Sequence, residues 1–341
     1  MNTGPANRRW RFLRSRRVAV VMCSLALAAF IGTEFVARFV LGLGDPPLFV
    51  ADPKIEYLNK PGHYHRFGHI VHVNQWSMRS PDFPQSKASP NELRVLVIGD
   101  SVVNGGAKLD NSQVATDLFA RDLATASGRP VIVGNISAGS WGPQNELAYL
   151  EKFGTFDADA AIVVWSSHDA WDIPGFGPFA IDQPTEKPIL ASYEAFRRYA
   201  IPMIVPPSSE SPAHSPQDVE KGVSSARKLL ELIQSKNIPV AVILHKTQKE
   251  LNGAELEGDR ALAGVAESLG VPVFQTASLF APAVRSGRSV FFDDIHPNAE
   301  GNRLLADLYL RVAADLLAPQ AVRPDSSGAP VPPPSPGSGG K

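Results

Sequence analysis

The sequence predicts a doubly wound α/β domain, a parallel sheet with helices on both faces, carried behind an N-terminal membrane helix. Short runs rich in Val and Ile at residues 93–98, 131–135, 160–165 and 240–244 lack polar alternation, as strands covered on both faces require. Helical patterns separate these runs, the alternation that builds parallel sheets. The uncharged apolar stretch 18–33 directly follows Arg8, Arg9, Arg11, Arg14, Arg16 and Arg17.

The 341 residues, 44% of them hydrophobic, are enough for a full α/β core, and a net charge of −1 lacks the basic excess of a nucleic-acid binder. Nucleic acid is therefore not an expected partner. The single cysteine, Cys23, rules out an intramolecular disulfide framework and a cysteine zinc cluster. No cofactor is expected.

In chain order, residues 1–17 read as a basic cytoplasmic segment and 18–43 as a single-pass membrane anchor. The apolar stretch is slightly short, but Glu34 and Arg38 stand four apart and pair at the interface while FVARFVLGLG extends the helix. An arginine-rich flank stays in the cytoplasm, which puts the remainder in the periplasm or outside the cell. Residues 26–28 form an A-x-A pattern and Ser15-Arg16-Arg17 faintly resembles a twin-arginine signal; because apolar residues continue past the cut, an uncleaved inner-membrane anchor is the expectation.

Residues 44–92, rich in Pro, His and aromatics, read as a small β-rich lead-in with period-two stretches such as HIVHVNQW. Its His63, His65, His69 and His72 match no common zinc spacing and have no carboxylate between them, so they read as polar faces of a hairpin. No metal is expected there.

The domain proper spans 93–318. Besides the four strands, a weaker fifth is expected at 271–274, and helices at 112–126, 144–153, 190–199, 219–236, 253–269 and 298–317. The last carries Leu305, Leu308, Val312 and Leu316 along one stripe, with Pro297 suited to the first helical position. Residues 319–341 lack apolar periodicity and read as a disordered Pro/Gly/Ser-rich tail.

The chemistry lies at the ends of the strands, where such sheets bind ligands. RVLVIGDSVVNG places Ser101 directly after the first strand, and FFDDIHPN supplies Asp293 and His296 about 190 residues later. A serine hydroxyl is a weak nucleophile, so it needs an imidazole to accept its proton and a carboxylate to orient that imidazole. Ser101, His296 and Asp293 fill those roles. Asp100, Asn104, Asp169 and His245 are expected to line the same cleft, and Trp141, Trp165 and Trp171 to stand close to its rim, as sugar-stacking platforms or as core packing.

Gly99-Asp100-Ser101 with Gly105 resembles the GDSxxxG block of the SGNH, or GDSL-type, esterase superfamily, and Asp293-Asp294-Ile295-His296 resembles its DxxH block. The resemblance covers about residues 93–317 and implies a flavodoxin-like three-layer sandwich with Ser101 as nucleophile, His296 as base and Asp293 as its orienting group. Asp294 stands where a small residue is usual, so an exchange of roles between the two aspartates stays open. The resemblance further implies an oxyanion hole from the Ser101 and Gly139 N–H groups, with Gly142 in reserve. A third donor is usually the asparagine of a GxND block; here Ser166-Ser167-His168-Asp169 stands there, and His168 replaces the asparagine.

The reaction these residues imply is a two-step acyl transfer through an acyl-enzyme, with water or a sugar hydroxyl as acceptor. The resemblance implies an anchored esterase that removes acetyl or other short acyl groups from an extracellular polysaccharide. A polysaccharide O-acetyltransferase beside an export or acyl-donor membrane protein, a lipase or thioesterase, and a noncatalytic polysaccharide-binding scaffold are the alternatives.

Overall fold

The computed structural model describes residues 5–179, 183–204, 214–254 and 256–318, with the backbone alone for 5–15. The tail expected at 319–341 lies outside the described residues. Five strands, β5 (Leu93–Gly99), β6 (Val131–Ser137), β7 (Ala160–Ser166), β8 (Val240–His245) and β9 (Val273–Gln275), form one parallel sheet in the order β6-β5-β7-β8-β9. Numbered within the sheet this is 2-1-3-4-5, the flavodoxin-like winding, whose direction reverses between β5 and β7.

Alternate residues on each strand feed two cores. Leu96, Ile98, Ala161, Val163 and Trp165 face α4 (Pro143–Phe153), α7 (Pro216–Ser235) and α8 (Glu257–Ser268). Val95, Val97, Ile162 and Val164 face α3 (Ala115–Ser127), α9 (Ala277–Arg285) and α10 (Ala299–Leu317). Burying both faces explains the unbroken apolar runs, since each fully buried Val, Ile or Leu contributes roughly 1.5–3 kcal/mol.

The helix expected at 219–236 starts earlier because Ser215 caps it: its Oγ accepts from the Asp218 N–H at 3.2 Å. The one expected from 253 starts at Glu257 instead, since Gly253, at φ +94°, ends a preceding turn of 3₁₀ helix. Pro297 is not the first helical residue of α10. It precedes the cap Asn298, whose side chain accepts from the Glu300 and Gly301 N–H groups at 3.0 Å each. The fifth strand is shifted two residues from its expected start, and α9 is a helix beyond those expected.

At the N-terminus α1 (Pro5–Phe35) continues as a π-helical turn (Val36–Val40). Residues Arg16–Val40 are long and apolar enough to cross a membrane. Glu34 and Arg38 pair at 2.7 Å, as their spacing predicts, and Glu34 also accepts from the N–H groups of Ala191 (3.0 Å) and Ser192 (2.9 Å). Those residues open α5 (Ala191–Ala195), which runs through a π-helical turn (Phe196–Ala200) into α6 (Ile201–Ile204), longer than the helix expected at 190–199.

The lead-in folds as two antiparallel hairpins, β1 (Phe49–Asp52) with β2 (Glu56–Asn59), and β3 (Gly62–Arg66) with β4 (His69–Val73). The histidines are on the second. His63 and His72 are cross-strand partners with stacked rings 4.2 Å apart, and His69 meets Asp110 at 3.1 Å, which fits the hairpin reading.

Candidate active site

Local sequence explains how Ser101 reaches the rim. A side chain at Gly99 would approach the Val164 carbonyl of β7 to 2.7 Å, so only glycine lets the two strands stay paired where β5 ends. Asp100 then leaves the strand and caps α2 (Ser101–Asn104), its Oδ1 accepting from the Val102 N–H at 2.8 Å. Ser101 thereby becomes the first residue of a short helix at the carboxyl end of the sheet, at the switch point.

His296 comes from the loop between α9 and α10. The Phe292 N–H donates to the His296 carbonyl at 2.8 Å, and the Ile295 and His296 N–H groups donate to Asp293 Oδ1 at 3.0 and 2.9 Å. The imidazole Nδ1 lies 2.8 and 3.0 Å from the two Asp293 oxygens, and Nε2 lies 2.9 Å from Ser101 Oγ. With Nδ1–H donating to the carboxylate, Nε2 presents its lone pair to the serine hydroxyl, the tautomer a general base needs. Desolvation opposes charge on Asp293, but the two backbone N–H groups and the imidazole outweigh it and hold its carboxyl below the usual range. Asp294 points elsewhere: its Oδ2 meets Lys249 Nζ at 3.0 Å. The geometry thus joins His296 to Asp293, not to its neighbour.

Ser101, Asp293 and His296 line one cavity of about 400 Å³, together with Asn104 and Gly139. Its other walls belong largely to the lead-in, including Phe49, Asn59, Arg66 and Phe67. Tyr57 donates its hydroxyl to the Gly139 carbonyl, and Asn59 Nδ2 donates to the Ser137 carbonyl at 2.7 Å, so β2 grips the loop that follows β6. A side chain at Gly139 would meet nothing within 4 Å, which leaves this backbone open to an approaching ligand. The reserve, Gly142, is instead the cap of α4, where a Cβ would strike the Asp172 carbonyl at 2.2 Å. It is a packing glycine.

Sequence reasoning missed Arg79. Its buried guanidinium donates to the carbonyls of Asn104 (2.8 Å), Gly106 and Leu109 (2.5 Å) and to Asn111 Oδ1 at 2.9 Å, stapling the loop behind the serine. Burial pulls it down to about 10, still charged at neutral pH. A buried arginine in a lead-in carries no spacing signal that would have found it.

Four expected site residues do not line the cavity. His245 is fully buried beneath the His296 loop and meets the Ile295 carbonyl through Nε2 at 2.9 Å; burial pushes its imidazole down to about 4, so it stays neutral. Asp100, Asp169 and His168 form a cluster behind the strand ends. His168 Nε2 lies 3.5 Å from Asp100 Oδ2 and 3.4 Å from Asp169 Oδ1, both carboxylates being at most 1% exposed. Burial opposes charge on this imidazole, yet Asp169, Asp100 and Asp172 outweigh it and raise it to about 10. That nitrogen stands closest to the two carboxylates, and His168 is not among the residues that line the Ser101 cavity, where the expectation puts it as third oxyanion donor. Behind the cluster, burial lifts Glu146 up to about 8 although Trp165 Nε1 donates to it at 2.9 Å.

None of the three tryptophans lines the Ser101 cavity. Trp141 and Trp165 are buried at 1% and 0% exposure, and Trp171 stacks on His214 at 4.0 Å.

A parallel sheet in flavodoxin-like order, with a serine, a histidine and an aspartate in line at its rim, belongs to the class of carboxylic ester hydrolases. Residues 97–304, more than half of the chain, match the family described as GDSL-like lipase/acylhydrolase, and the chain belongs to that family. No curated protein sequence matches it. Similar solved structures include a member of the lipolytic protein G-D-S-L family from Veillonella parvula DSM 2008, at 15% identity and TM-score 0.38, covering 64% of this chain and 97% of that one. A two-domain esterase (CEX) active on acetylated mannans is similar at 15% identity and TM-score 0.45, covering 71% of this chain and 53% of that one. Axe2, an acetylxylan esterase from Geobacillus stearothermophilus, is similar at 16% identity and TM-score 0.41, covering 64% and 93%.

Proposed function

We propose that this chain is a membrane-anchored serine esterase that removes acetyl or other short acyl groups from an extracellular polysaccharide. The observation that carries the proposal is the hydrogen-bonded line from Asp293 through His296 to Ser101 Oγ, with spacings of 2.8 and 2.9 Å. Ser101 Oγ attacks the ester carbonyl while His296 Nε2 takes its proton, and the Asp293 carboxylate stabilises the imidazolium that forms. The tetrahedral oxyanion is met by the backbone N–H groups of Ser101 and Gly139. His296 returns the proton to the leaving alcohol, and water then attacks the acyl-serine with His296 as base. His168 acts behind this machinery as the counter-charge of Asp100 and Asp169, and donates nothing to the oxyanion through Nε2.

The anchor half of the proposal rests on Arg16–Val40 and the arginines before it, which keep the N-terminus cytoplasmic and put the catalytic domain outside the inner membrane. The span stays uncleaved in this reading because the apolar helix continues past the A-x-A pattern as far as Val40. Its end is tied to the domain: Ala37 and Leu43 are buried against Ala191, and the Gly44 N–H donates to Glu194 at 2.7 Å. A polysaccharide or its export machinery is the partner such an anchored domain meets.

The test monitors acetate release from p-nitrophenyl acetate and then from acetylated polysaccharides by the full chain in detergent. Ser101→Ala and His296→Ala should each lose about 10³-fold or more in turnover, the scale for a triad member. A folded wild type no faster than Ser101→Ala on every ester would overturn the esterase reading. Acetyl groups recovered on an added sugar acceptor, with no free acetate, would assign the same acyl-serine to transfer.

A further inference from the structure

The helical run at residues 191–204 has two faces, and one of them has no protein partner among the described residues. Ala191, Glu194, Ala195 and Arg198 recur at helical spacing and face the domain. Ala191 and Ala195 pack with Ala37, Leu43 and Phe67, Glu194 binds the Gly44 N–H and Arg66, and Arg198 lies over the Phe67 ring at 5.1 Å. Tyr193, Phe196, Tyr199 and Met203 lie along the opposite face at 55%, 53%, 46% and 84% exposure, flanked by Ile189 at 91% and Ile204 at 74%. Six large apolar or aromatic side chains in one strip is a patch that soluble surfaces rarely leave open.

The position of this strip says what covers it. A span needs about 20 residues to cross the hydrocarbon core. Counted from Val18, where the arginines stop, the apolar helix leaves the core close to Ala37, so Glu34 and Arg38 stand at the exit boundary. Glu34 accepts the first N–H groups of the 191–204 run, and Arg38 Nη2 also reaches the Ile189 carbonyl at 3.3 Å. The exposed strip therefore begins at the depth where the span emerges, where Phe35 and Phe39 are themselves exposed by 57% and 70%. Arg197 stands beside Tyr193, at 5.9 Å from its ring, a cation placed among aromatics as at a headgroup layer.

We propose that residues 189–204 form an interfacial helix that lies in the outer headgroup layer of the lipid bilayer beside the span. This deepens the anchored reading and rests on it. The occupant of the strip is the bilayer itself, with apolar side chains entering roughly 5–10 Å into the headgroup and acyl boundary. The inner face of the same helix is a wall of the candidate active site, because Arg198 lines the Ser101 cavity together with Arg66 and Phe67, which Glu194 and Arg198 contact. The cavity mouth is thus held at the membrane surface, and the ester is drawn from molecules displayed there.

The single cysteine makes the test direct. In a Cys23→Ser background, nitroxide labels are placed one at a time by Phe30→Cys, Phe196→Cys, Met203→Cys and Lys236→Cys in the full chain. Each is reconstituted in phospholipid nanodiscs and shown folded by circular dichroism. Accessibility to oxygen and to a water-soluble nickel chelate is then compared. Positions 196 and 203 should have an oxygen-to-nickel ratio severalfold above position 236, and below position 30. A lipid-exposed position 30 with 196 and 203 matching 236 would overturn the interfacial helix and leave the anchor standing. An aqueous position 30 would overturn the anchor, and the interfacial helix with it.

Discussion

Replacing His168 by asparagine puts the usual residue type of the family's third block into this chain, and the structure says that it should weaken the fold. The imidazole stands 3.5 and 3.4 Å from the carboxylates of Asp100 and Asp169, which are 1% and 0% exposed. At an effective dielectric of about 20, a contact to an ionised carboxylate at this distance is worth about 5 kcal/mol before desolvation is charged against it; burial lifts the Asp169 carboxyl, so only one such contact is counted. His168 is itself 37% exposed, so water screens the pair, and the net loss expected on removing the cation is about 3 kcal/mol, the low end for breaking a buried pair. For a domain of this size that lowers Tm by about 6–12 °C. The sign with pH follows from the imidazole. Raised to about 10 from 6.5 by the carboxylates around it, His168 contributes stability that is complete below pH 6.5 and lost as the pH rises toward 10. The deficit of the variant should therefore be full near pH 6 and shrink on the alkaline side. The assay is thermal unfolding of wild type and His168→Asn, monitored by circular dichroism in detergent at several pH values between about 6 and 10. An unchanged Tm near pH 6, or a deficit that does not shrink toward pH 10, would refute the charge-pair account.

Three further outcomes are expected. Asp293→Asn should lower turnover by about 10³–10⁴-fold through loss of the imidazole tautomer, whereas Asp294→Asn, which loses only a contact to an exposed lysine, should stay within severalfold of wild type in the same steady-state assay. Gly139→Ala should fold with an unchanged Tm, since its Cβ meets nothing within 4 Å, yet lose kcat/KM because the methyl group stands where the ester must approach. His245, held at about 4 against 6.5 unfolded, contributes stability that is complete above pH 6.5 and lost as the pH falls toward 4; the difference is about 3 kcal/mol, and His245→Gln, which cannot titrate, should flatten that part of a Tm-against-pH curve.

The sheet was legible because burial on both faces leaves strands such as β5 and β7 without polar interruption, and because Ser101 and His296 sit in short blocks with fixed neighbours. Helix starts were less legible, since they depend on single capping contacts: Ser215 begins α7 three residues earlier than its apolar stripe suggests, and Gly253 ends one turn when periodicity alone continues it into the next. The site's walls were the hardest part. Tyr57, Asn59 and Arg79 act by reaching backbone carbonyls 25 to 82 residues away, and a hydrogen bond to a carbonyl demands no partner side chain that a sequence could display. The same reason misplaced His168 and His245. Position after a strand puts both near the rim, but which nitrogen faces the substrate is decided by buried carboxylates and by the Ile295 carbonyl, contributed by distant segments.

The 195-residue separation between Ser101 and His296 gives the enzyme a period of chemical silence during its own synthesis. At about 5–20 residues per second, the serine leaves the ribosome roughly 10–40 s before its base. The wall gripped by Tyr57, Asn59 and Arg79 can form in that interval, because those residues precede the serine. A nascent chain is thus able to build the lead-in wall before the proposed base is made, and the cavity is completed only when the loop before α10, which adds Phe292, Asp293, His296 and Pro297 to the lining, closes over β8.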